Sequence, residues 1–126
     1  MRYMTITLLV CGLIVGTGTL AAAHEEHAEG GTQTLTGEVV DVACYLMHGD
    51  KGSGKDHADC GQKCVLGGLP VAIKSGDTLY FVVSKDHQPM NKELGPLVGH
   101  QVQVMGEVTE RNEEHLLIVS TIKALD

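Results

Sequence analysis

QVQVMGEV, residues 101–108, alternates apolar and polar side chains and puts Val102, Val104 and Val108 on one face. A period of two is the signature of a half-buried strand. HLLIVSTIKAL, residues 115–125, follows after the charged stretch TERNEE and reads as a final strand. Upstream, LPVAIKS (69–75) and TLYFVVS (78–84) flank Gly76-Asp77 and read as a hairpin. TLTGEVVDVACYL, residues 34–46, is rich in Val and Thr and reads as one long strand, with Gly37 marking a bulge or sharp bend. That makes five strands. With so few aromatic residues, one Phe and three Tyr, the fold class is mainly β, a small barrel or sandwich.

One short helix is expected after the first strand. HGDKGSGKD (48–56) is a loop, and HADCGQKCVLGG follows it, with Asp56 as N-cap and Gly67-Gly68 as the stop. KDHQPMNKELGPLVG (85–99) reads as a loop with one helical turn near Asn91–Leu94.

LVGHQVQVMGEV followed by HLLIVSTIKAL resembles the last two strands of bacterial OB-fold domains, and TLTGEVVDVACYL is similar to their long, bent first strand. The resemblance covers about half of residues 24–126 and implies a five-stranded OB-like barrel. One departure is plain: the usual OB helix lies between the third and fourth strands, whereas the best helical segment here follows the first. GEVVDVACYL through HADCGQKCVLGGLPV also resembles small uncharacterised Cys/His-containing periplasmic proteins of bacteria. That likeness implies a recurrent module and no activity.

The first 23 residues read as a signal peptide. One Arg precedes the apolar run ITLLVCGLIVGTGTL, and Ala21 and Ala23 fit an A-x-A cleavage pattern. The run is short against the roughly 20 residues of a spanning helix. Cys11 would leave with it. HEEHAEGGTQ, residues 24–33, reads as a disordered leader, in which His24 and His27 could bind a metal at a free amino terminus. Residues 34–126 form the single domain. Loss of Arg2 takes the formal net charge from −7 to about −8. An acidic surface argues against nucleic acid and anionic membrane as partners. Export to the periplasm or medium implies an oxidising compartment, where an odd set of three Cys leaves one thiol over or holds a metal.

Those three are Cys44, Cys60 and Cys64. On a helix, His57, Cys60 and Cys64 fall within about 60° of one another and form one stripe, which would face Cys44 on the first strand. A Cys60–Cys64 disulfide is disfavoured, because i,i+4 positions do not bring Cβ atoms to the required distance of about 3.8 Å. Three readings compete. In the first, His57, Cys60, Cys64 and Cys44 hold copper or zinc, the ions that thiolates and imidazole select. C-x-x-x-C with a His is similar to the ligand set of Sco-type copper chaperones, as an analogy of ligands alone. Met47, His48, His87 and Met90 are further candidate ligands, each more ordinary as core or surface. In the second, Cys44 pairs with Cys60 or Cys64 as a structural staple, and the barrel face takes a protein of the cell envelope or a small ligand. In the third, the thiols do redox chemistry, although C-x-x-C is absent. No nucleophile elbow, phosphate loop or C-x-x-C-H occurs, so a binding protein is expected rather than an enzyme. The charged stretch Glu113, Glu114, His115 reads as a solvated turn, and His100 as a surface or capping residue.

Overall fold

The computed structural model describes residues 31–126. The expected signal peptide and all but the last residues of the expected leader lie outside them, as do His24 and His27. Five strands close into a barrel in the order β1-β2-β3-β5-β4. They are β1 (Thr32–Asp41), β2 (Val71–Ser75), β3 (Thr78–Ser84), β4 (Gln101–Arg111) and β5 (Glu114–Ala124). All neighbours are antiparallel except β3 and β5, which run parallel from Tyr80↔His115 to Ser84↔Val119. This is an OB-like barrel, mainly β. Among the described residues no helix is long and apolar enough to cross a membrane.

β4 follows its alternation: Val102, Val104, Gly106 and Val108 are buried and their neighbours exposed. These valines meet Val39, Ile73, Leu94, Val98 and Leu117 in the core. The β4–β5 turn is tighter than the charged stretch suggests. Only Asn112 and Glu113 turn, both at positive φ (52° and 67°), while Glu114 and His115 already belong to β5. The register breaks between Met105 and Gly106 and not at Gly37. At Gly37 the strand instead runs against its neighbour, since a Cβ there would meet the Lys74 carbonyl and approach Ile73 Cγ2 to 2.8 Å. Immediately beyond, at Glu38, β1 changes partner from β4 to β2.

Three sequence expectations are corrected here. β1 begins at Thr32, two residues before the expected strand and inside the expected leader. It also ends at Asp41, not Leu46. Val42–His48 is a helix, α1, because the Asp41 side chain accepts from the amides of Ala43 and Cys44 and so caps it. The barrel therefore carries two helices after β1. The second, α2 (Ala58–Leu66), starts after a 3-10 turn over Lys55–His57, so its N-cap is His57 and not Asp56. Gly67 ends it, and Gly68 takes φ +105°. The turn expected near Asn91 is α3 (Asn91–Leu94), in the usual OB helix position between β3 and β4.

The β1–β2 connection is pinned at both ends and in its middle. Val42 N–H donates to Pro70 O at 3.0 Å. Gly54 N–H donates to Glu38 Oε1 on β1. The Asn91 amide donates to Val65 O at 2.8 Å and to Leu69 O at 2.7 Å, satisfying carbonyls at the end of α2.

Candidate metal centre

The centre lies where β1, α1 and α2 meet. Asp41, at the last position of β1, is fully buried, an unusual place for a carboxylate. Its Oδ1 accepts from Ala43 N at 2.9 Å and Cys44 N at 3.3 Å. Its Oδ2 is buried with no hydrogen-bond partner of good geometry. His57 Nε2 is buried and unpartnered as well. Ligand atoms of Asp41, Cys44 and His57 all lie within 4.8 Å of one another.

Two thiols lean on the same carboxylate. The Cys44 thiol is pushed up to about 12, first by its hydrogen bond to Asp41, then by burial, the Asp41 charge and Cys64. The Cys64 thiol is also raised, chiefly by burial and then by the Asp41 hydrogen bond and charge. Cys64 faces Cys44 and Asp41 from α2, outside the set of three ligand atoms, from Asp41, Cys44 and His57, that lie within 4.8 Å of one another. Both shifts have the same direction: beside the Asp41 carboxylate and away from water, each thiol is held in its neutral form.

The expected ligands separate at this point. Cys44 and His57 come together with Asp41, and Cys64 faces Cys44 and Asp41 from α2; Cys60 is exposed, and all three Cys are free thiols. The reason lies in which face α2 buries. Gly61 and Val65 are its buried residues. At about 100° per residue, His57 and Cys64 lie about 60° and 80° to one side of their midpoint, whereas Cys60 lies about 120° to the same side. Gly61 allows this approach: a Cβ there would sit 2.6 Å from Val98 Cγ1, 3.4 Å from His57 Cδ2 and 3.5 Å from Asp41 Cβ. Cys44 reaches the cluster from α1, not from the first strand as expected.

Asp41 is the residue that sequence reasoning missed. Its signal was an Asp in front of VACYLMH, an N-cap pattern hidden by the strand-like valines on either side. The other candidates stay apart. Met47 is 67% exposed and Met90 packs in the barrel core. His48 and His87 are exposed. His100 and His115 pair instead with Asp126 and Glu110, each at 3.4 Å. Elsewhere, a cavity of about 650 Å³ opens between β3 and the β4–β5 hairpin, against Phe81, Glu114, His115 and Leu116.

No known family matches the chain, and neither a curated protein nor a solved structure is significantly similar to it.

Proposed function

We propose that this is a small exported binding protein, periplasmic or secreted, that holds a thiophilic metal ion, copper or zinc, without catalysing a reaction. The observation that carries the reading is the pair of buried, unpartnered atoms, Asp41 Oδ2 and His57 Nε2, beside the Cys44 thiol. Orphaned buried polar atoms cost about 1–3 kcal/mol each, and a shared ligand is an economical way to remove two such costs. Relative to the set read from sequence, the ligands become Asp41, Cys44, His57 and Cys64, and Cys60 drops out.

The contact between Cys44 and Cys64 supports a second reading. A disulfide there would join α1 to α2 and stabilise the domain by about 3 kcal/mol in the chain-entropy model. The protein would then be a stapled module whose ligand or partner uses the barrel face. A disulfide and a thiolate-held metal exclude one another at these two residues.

One experiment separates them. The untagged protein is purified and its mass, free thiols and metal content are measured together. Stoichiometric copper or zinc with every thiol reduced is the expected result. A mass lower by two hydrogens, one free thiol and no metal would overturn the metal reading in favour of the staple.

A further inference from the structure

Resting on that metal reading, we propose that the ion is a divalent cation of the zinc class, bound by Asp41 Oδ2, Cys44 Sγ, His57 Nε2 and Cys64 Sγ, with Cys60 outside the shell. The chemistry of the four donors is the warrant. Monovalent copper is satisfied by sulfur and gains little from a carboxylate. It would leave Asp41 Oδ2 buried and unpaired, the state already present without metal. Calcium and magnesium want shells of oxygen, and only one oxygen is offered. One carboxylate oxygen, one imidazole and two thiolates form a mixed set that suits a borderline-soft divalent ion in a closed tetrahedral site.

Charge points the same way. The carboxylate and two thiolates would carry three negative charges, and a divalent ion offsets one more of them than a monovalent ion does. Size also agrees. Zinc bonds of about 2.0–2.3 Å put tetrahedral ligands roughly 3.3–3.8 Å apart. Asp41, Cys44 and His57 already lie within 4.8 Å, so a closure of about 1 Å fits these three to one ion; Cys64, which faces Cys44 and Asp41 from α2, lies outside that set and has further to move. Asp41 is oriented in advance of any ion, because α1 holds Oδ1 through the amides of Ala43 and Cys44 and so aims Oδ2 without further ordering. The site is a clasp. It ties the end of β1 to α1 and α2, the two helices inserted between β1 and β2.

The test loads reduced apoprotein with Co²⁺ as a coloured stand-in, displaces it with Zn²⁺, and separately titrates Cu⁺ under reductant. One Co²⁺ should bind with tetrahedral d–d bands and the charge-transfer intensity of two thiolates, and Zn²⁺ should bleach both. Asp41→Asn keeps the helix cap, since Asn caps as well as Asp. It should weaken Zn²⁺ by at least about tenfold, as loss of a direct ligand exceeds the 10–100-fold range set for outer partners at its low end. Cu⁺ affinity should move far less. Cys64→Ser should weaken Zn²⁺ strongly and Cys60→Ser should leave it unchanged. An equal loss in Cys60→Ser and Cys64→Ser, or tight Cu⁺ binding with Zn²⁺ indifferent to Asp41→Asn, would overturn the zinc assignment and leave the metal reading standing. If Asp41→Asn does not fold, the thiolate count in wild-type Co²⁺ protein decides: one or three overturns the assignment. Binding of neither ion would end the metal reading itself.

Discussion

Asp41 caps the helix that carries Cys44 and is also the acid that the Cys44 thiol faces. One carboxylate thus serves the backbone with Oδ1 and leaves Oδ2 in the cluster. The two duties separate by substitution. Asp41→Ala should lower the stability of the reduced apoprotein by about 1–2 kcal/mol through loss of the cap, and Asp41→Asn by much less. Urea denaturation under reductant measures both; equal losses would mean that the cap contributes little.

The same pair sets an alkaline limit. A thiol raised from 9.0 to about 12 favours the folded state while it stays protonated. Its contribution is fully present below 9.0 and is lost as pH rises toward about 12, because the unfolded chain ionises first. Thiolate absorbance in the reduced apoprotein should show one Cys titrating late. Asp41→Asn, which removes the largest cause, should bring that titration down and flatten the loss of stability.

Gly61 in α2 tests how tightly the helix sits on the site. In an exposed helix, Gly→Ala would gain up to about 1 kcal/mol. Here the new methyl would fall 2.6 Å from Cγ1 of buried Val98. Overpacking of this kind costs about 1–3 kcal/mol, so Gly61→Ala should be net destabilising and, on the proposed metal reading, should weaken Zn²⁺ binding with every proposed ligand intact. A stabilised variant with unchanged binding would show that α2 can shift at no cost.

Asn91 holds α2 from the far side. Its amide serves both Val65 O and Leu69 O, so Asn91→Ala removes two hydrogen bonds that tie α3 to the end of α2, while Val65 O keeps its bond from Gly68 N at 3.0 Å. A loss of about 1–2 kcal/mol is expected, with hydrogen exchange accelerated in α2 ahead of β4. Uniform acceleration across the barrel would place the effect on global stability alone.

At the opposite end of the pH scale, Asp126 is held below its ordinary value of 3.8, first by its hydrogen bond to Lys55. Lys55 Nζ lies 2.7 Å from Oδ2, and Oδ1 accepts from Gln101 N at 3.0 Å. A lowered carboxylate contributes stability above 3.8 that is lost as pH falls through its folded value. Asp126→Asn should therefore remove a small acid-limb slope from the melting temperature and cost a small, salt-sensitive amount of stability near neutrality.

Much of the barrel was legible in the chain. The alternation of β4 decides its inward face, and Gly76-Asp77 decides the β2–β3 hairpin, because both are local matters of side-chain direction and turn dihedrals. α1 was less legible. Val42, Cys44 and Tyr45 suit a strand as well as a helix, and only the capping of Ala43 and Cys44 by Asp41 tips the balance. The site was half legible. His57, Cys60 and Cys64 share a stripe by spacing, yet spacing does not say where the centre of the buried face lies.

By itself the sequence determined the number and order of the strands (but not the ends of β1), the β2–β3 turn, the position of α2 and the residue types from which a soft-metal site could be made. Each follows from neighbours a few positions apart along the chain. Tertiary structure alone decided that β3 pairs in parallel with β5 to close the barrel, that Gly61 and Val65 turn inward, and that Cys60 stays in solvent. It also decided that Asp41, which no spacing rule links to His57, lies with it at the meeting of β1, α1 and α2. The physical reason is common to all four: burial of a side chain depends on which element packs against it, and that contact is made across long stretches of chain that local periodicity does not encode.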